Sequence, residues 1–119
     1  MTPLLVVLGA MAGAPLRLFA ERLAVSRRGA GSVAGTLAVN VAGSALLGLL
    51  LGLAGVPAWG TALLGTGFCG ALTTFSTLGA ELVRLAEQGD RGPAAAYLGG
   101  TVVLGIGAAA TAYGAAGLL

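Results

Sequence analysis

Apolar residues run through this chain in long blocks, and charged residues fall in only two places. Arg17, Glu21, Arg22, Arg27 and Arg28 cluster early, Glu81, Arg84, Glu87, Asp90 and Arg91 cluster late, and stretches 1–16, 29–80 and 92–119 carry no charge. A helix needs about 20 residues to cross a bilayer. The middle block is therefore predicted to hold two crossings, joined tightly near Val56-Pro57-Ala58-Trp59. The pattern predicts four spans, at about 3–25, 33–54, 59–88 and 93–118, in a single membrane domain covering 1–119.

Polar residues inside the blocks are few and regularly placed. In the second span Thr36, Asn40 and Ser44 follow one another at intervals of four, which puts all three on one helix face. An asparagine at mid-membrane is costly unless hydrogen-bonded; Asn40 reads either as glue between helices or as an amide facing a pore. The fourth span repeats the interval with Tyr97, Thr101 and Gly105. Tyr97 alone would also fit an interfacial aromatic belt. The third span is long and contains Gly65-x-Gly67-x-x-Gly70 followed by the hydroxyl-rich run Thr73, Thr74, Phe75, Ser76, Thr77. Glycine weakens a helix by roughly 1 kcal/mol and threonine caps a new one, so a break is predicted near Gly70–Thr73, with a simple kink as the plainer reading. A break exposes carbonyls suited to a hard cation and a helix N-terminus that favours an anion; discontinuous helices are where transporters place ion sites. Glu81 falls on the same face as Thr73 and Thr77. In the first span, Gly9 and Gly13 form a GxxxG packing face, and Pro15 should kink or loosen the end of the helix. Arg17 either snorkels to the interface or pairs with Glu21, one turn on.

Composition narrows the class. Of 119 residues, 57% are hydrophobic and 8% charged, against roughly 25% charged in a soluble domain; the chain reads as an integral membrane protein. A signal peptide would place its apolar region at Leu4–Leu8, but no basic residue precedes it and Gly9 and Gly13 interrupt it. Cys69 is the only cysteine and there is no histidine, so an internal disulfide, a thiolate metal site and the usual proton shuttle are excluded. A net charge of +2 is too small to suggest nucleic-acid binding. No nucleophile has a base within reach, and the chain does not read as an enzyme. What remains at mid-span is a set of neutral donors, with Phe75 offering the positive edge of its ring. Conduction needs binding weak enough to release, and neutral donors meet that need. The residues read as a small-anion pathway.

Three stretches carry a resemblance. GAMAGAPLRL (Gly9–Leu18), GTLAVNVAGSALLGLL (Gly35–Leu50) and CGALTTFSTL (Cys69–Leu78) resemble, in order, the signatures of the CrcB/Fluc family of bacterial fluoride channels. The resemblance implies an all-α, multi-pass protein of the bacterial cell membrane that passes fluoride passively outward as an antiparallel dimer of inverted four-helix subunits. It implies a fluoride pathway of Asn40, Phe75, Ser76, Thr77, Tyr97 and Thr101, a vestibule acid at Glu81 and a structural arginine at Arg17. It also implies a structural Na+, not itself transported, on the carbonyls of Gly70 and Thr73. Two departures stand out. Leu78 occupies the place of a second pathway phenylalanine, and Gly105 that of a serine. The first and third loops hold Arg22, Arg27, Arg28 and Arg91, while both termini and the Val56–Trp59 turn hold no Lys or Arg. The positive-inside rule then puts both termini outside, so the partner is either a second copy or an oppositely oriented paralogue. The competing readings are a small multidrug-resistance exporter, which needs a membrane-embedded first-span glutamate, and a non-transporting scaffold. Here the first acid is Glu21, near the span end, and a scaffold needs no polar stripes on three spans.

Overall fold

Four helical segments are long and apolar enough to cross a membrane: Thr2–Arg28, Ala34–Gly52, Ala58–Glu87 and Arg91–Ala116. The computed structural model describes residues 2–29, 32–73 and 75–118, and of Phe75 and Ser76 the backbone alone. Among the described residues there is no strand. The elements are α1 (Thr2–Arg28), α2 (Ala34–Gly52), α3 (Ala58–Gly60), a π-helical stretch (Thr61–Cys69), α4 (Gly70–Leu72), α5 (Phe75–Glu87) and α6 (Arg91–Ala116).

Helix ends follow local chemistry. Gly29 sits at φ 97°, and its N–H reaches the Val25 carbonyl at 2.9 Å to close α1. Gly89, at φ 82°, closes α5 while the Asp90 N–H reaches the Leu85 carbonyl at 2.9 Å. A left-handed glycine just past a helix satisfies carbonyls the helix leaves open. Pro15 does not end the first span; α1 runs through it to Arg28. The ring removes one N–H, but in lipid every other backbone group must find a partner inside the helix, which keeps the segment helical.

The third span breaks within the expected Gly70–Thr73 stretch, and the glycines before it are π-helical. Gly65 and Gly67 lie inside the π-helical stretch, and the Gly70 N–H donates to the Gly65 carbonyl across five residues. Gly70 itself is helical, at φ −62° and ψ −37°. The chain leaves the helix at Thr73, whose φ −78° and ψ 154° are extended, and helix resumes at Phe75. Thr73 helps set that point by donating both its N–H (2.9 Å) and its Oγ1 (2.8 Å) to the Cys69 carbonyl. Glycine permits a wide π turn, and a hydroxyl bonded back to the i−4 carbonyl weakens and bends the helix at its end. π segments are rare and concentrate at functional sites.

Small residues bring the helices together. α1 packs on the π-helical stretch, and a Cβ on Gly9 or Gly13 would strike the carbonyl oxygens of Leu63 and Phe68. α2 packs most extensively on α6. The outward faces are apolar, with Leu4, Met11, Phe19, Val103 and Ile106 exposed. That inversion suits a lipid solvent, where helices associate by close backbone approach instead of by burying large side chains.

Candidate functional site

α2 and α6 run parallel and meet in register. Thr36 lies against the Tyr97 phenol, Ser44 Oγ faces Gly105, Gly48 meets Ala109, and Gly52 meets Tyr113. The offset between partners is the same at every rung, so the intervals of four in the two spans turn toward each other. Asn40 and Thr101 occupy the rung between, and both line one cavity. Successive rungs are about 6 Å apart, from the helical rise. The polar positions therefore form one continuous seam: Thr36–Tyr97, Asn40–Thr101, Ser44–Gly105.

The larger cavity, of ≈ 550 Å³, opens where this seam meets the break in the third span. Asn40, Ser44 and Thr101 line it from one side, Gly70, Thr73 and Leu78 from the other. The two sides are held close by glycine, because a Cβ on Gly43 would collide with the Thr73 methyl. Thr101 Oγ1 is buried and has no hydrogen-bond partner among the described residues. A buried, unsatisfied hydroxyl costs roughly 1–3 kcal/mol, a cost that water or an ion in the cavity would remove. Leu78 is buried, at 6% exposure, and brings only methyl groups to the wall. Among the described residues no His, Cys, Asp or Glu cluster could hold a metal ion.

A smaller cavity of ≈ 250 Å³ lies at the arginine-bearing end, beside the first and third loops. Thr77, Glu81 and Arg84 from α5 line it together with Glu21 from α1 and Thr36 from α2. The seam passes from Thr36 at this cavity to Asn40 at the larger one, and Tyr97, 7% exposed, donates its hydroxyl to Glu81 Oε1 at 3.0 Å. Tyr97 is therefore a buried member of the seam and not a belt residue. Arg84 brings positive charge to a mouth that two carboxylates would otherwise make repellent to anions.

The residues singled out from sequence thus fall into groups. Asn40, Thr101, Gly70 and Thr73 meet at the larger cavity, Thr77 and Glu81 at the smaller, and Tyr97 is bonded to Glu81. The side chains of Phe75 and Ser76, and all of Thr74, lie outside the described residues. Arg17 lines neither of these cavities and makes no ion pair with Glu21 among the described residues. Glu21 instead turns to the smaller cavity, with Oε1 buried and without a hydrogen-bond partner among the described residues. Sequence reasoning did not assign Glu21 or Ser44 to a site. Ser44 had a signal, the interval of four from Asn40; Glu21 had none, because its neighbours come from distant spans.

A family model described as "CrcB-like protein, Camphor Resistance (CrcB)" matches residues 4–115. The chain is 49% identical to fluoride-specific ion channel FluC 1 of Frankia casuarinae, over 90% of this chain and 89% of the relative. It is 46% identical to FluC 1 of Nocardia farcinica, over 94% of this chain and 75% of the relative. With FluC 1 of Streptomyces avermitilis it shares 48% identity over 89% and 88% of the two chains. With a multi-pass helical architecture and a match across nearly its whole length, the chain belongs to the CrcB/Fluc family.

Proposed function

We propose that this protein is a fluoride-selective channel that lets cytoplasmic fluoride leave passively across the bacterial plasma membrane. The observation that carries the reading is the polar seam of α2 and α6, which leads from the smaller cavity into the larger without a charged side chain at the larger cavity. Fluoride is small and holds its water tightly, so a pathway must replace that water with hydrogen-bond donors. Asn40 and Thr101 supply such donors, and neutral donors release what they bind; Tyr97, one turn before Thr101, joins the pathway when its O–H turns from Glu81 to the ion. Thr77 adds a hydroxyl at the smaller cavity, and the family resemblance assigns a ring edge to Phe75 and a hydroxyl to Ser76. Glu81 acts at the vestibule, holding the Tyr97 hydroxyl.

In this reading the working unit is an antiparallel dimer, formed with a second copy or with an oppositely oriented paralogue. Gly70 is exposed on the chain surface beside the break, so a symmetry-related partner would bring a second break to the same place. The donor set fits a structural Na+: the carbonyls of Gly70 and Thr73 are hard oxygen ligands, and both residues line the larger cavity. Held there, Na+ would supply a fixed positive charge and would not be transported.

One observation speaks for the exporter reading, namely the buried Glu21 carboxylate in the first span. It lies within the last turns of α1, at the mouth and not at mid-span. The test is growth. In a bacterium stripped of its own fluoride exporter, expression of this chain should restore growth in fluoride without raising resistance to organic cations. Resistance to organic cations with no relief of fluoride toxicity would instead make it an exporter of the other kind.

A further inference from the structure

Ser44 is a polar residue of the seam without an assigned role, and its surroundings are unusual. It sits one turn beyond Asn40 and lines the larger cavity. The position opposite, Gly105, has no side chain. A Cβ built there would meet one atom within 4 Å, Ser44 Oγ at 3.5 Å, which is ordinary contact. The gap left by Gly105 is therefore open and is bordered by a hydroxyl from the other helix. One rung earlier, Thr101 turns an unpartnered, buried hydroxyl into the same cavity. One rung later, Gly48 closes against the backbone of Ala109, where no ion can pass between the helices.

We propose that Ser44 is an anion-contacting residue of the pathway, taking on α2 the place that Gly105 leaves empty on α6. The inference rests on the fluoride-channel reading and deepens it. The passing ion is handed from the Asn40–Thr101 rung to the Ser44 hydroxyl before it leaves the seam. Ser44 can serve because α2 and α6 are in register here and because Gly105 makes room for a partly hydrated anion beside it. A hydroxyl on either helix at this rung would reach the same gap.

That equivalence supplies the test. The protein is reconstituted in liposomes, and fluoride efflux is followed for the parent, Ser44→Ala, Gly105→Ser and the double variant. Thermal unfolding in detergent with and without fluoride is measured in parallel, since a ligand that binds the folded state stabilises it. Ser44→Ala should slow efflux about tenfold, as expected for one lost hydrogen bond to an ion, and should shrink the fluoride-induced stabilisation while leaving fluoride-free unfolding unchanged. Adding Gly105→Ser to it should return both readouts to within about twofold of the parent, because the lost bond is restored from the opposite helix. If Ser44→Ala behaves as the parent, or if Gly105→Ser fails to rescue it, the assignment of Ser44 is wrong and the channel reading stands. A parent that neither conducts fluoride nor is stabilised by it overturns both.

Discussion

Along one seam, α2 and α6 are joined in two different ways. At Gly48 and Gly52 the backbones touch: a Cβ on either would run into the carbonyl oxygens of Ala109 or Tyr113. At Thr36, Asn40 and Ser44 the same helices, at the same interval of four, are separated by polar side chains and bordered by two cavities. The closed half gains dispersion contacts, which is how helices hold together in lipid. The open half gives those contacts up and keeps hydrogen-bond donors at a spacing of one turn. Side-chain size at a fixed period decides which half seals and which half stays open.

Four substitutions would break or sharpen that contrast, and the largest effect should come from the open half. Asn40→Leu keeps the volume and removes the amide. Fluoride efflux should fall by up to about a hundredfold, since losing a buried donor costs roughly 1–3 kcal/mol, with folding retained in detergent. Efflux at the parental rate would remove Asn40 from the pathway. Gly48→Val tests the closed half: forcing a branched side chain against the Ala109 carbonyl should destabilise the fold by about 1–3 kcal/mol. That loss is read as a lower unfolding temperature and poorer yield; a variant as stable as the parent would mean that the seam is not sealed there. Tyr97→Phe keeps the ring and deletes the bond to Glu81, which should cost about 1 kcal/mol of stability and slow efflux. No change in either would make the Tyr97–Glu81 bond incidental. The smallest effect is expected from Leu78→Phe, which adds a ring edge to the wall of the larger cavity. A gain of about 0.5–1 kcal/mol in the interaction with the ion, within the range of aromatic contacts, should appear as a few-fold tighter fluoride-induced stabilisation.

Much of this arrangement was legible in the sequence because lipid leaves few options. Charge-free blocks anticipated four spans, and the polar intervals of four marked one face on the second span and one on the fourth; that these faces meet follows only from the packing. The Gly9 and Gly13 pair was legible as a packing face for the same reason. What was not legible depended on geometry between distant elements. The glycine and threonine run announced a break near Gly70–Thr73 but not the π turn before it, which the Gly70 N–H closes on the Gly65 carbonyl. Pro15 marks a place for a kink or a loosened end, and α1 continues through it to Arg28 because lipid demands internal backbone satisfaction. Glu21 was read against Arg17, its neighbour on the helix, whereas the fold turns it toward Glu81 and Thr77 on another span. Local spacing cannot reveal a partner that only tertiary packing supplies.

The central claim is that the open half of the seam passes fluoride and little else. Its most direct test is efflux from liposomes that contain this chain, loaded in turn with potassium fluoride and potassium chloride and made permeable to potassium so that anion movement sets the rate. The account predicts rapid fluoride efflux and chloride retention, with fluoride efflux abolished by Asn40→Leu. Equal release of both anions, or fluoride efflux untouched by the loss of the Asn40 amide, would contradict it.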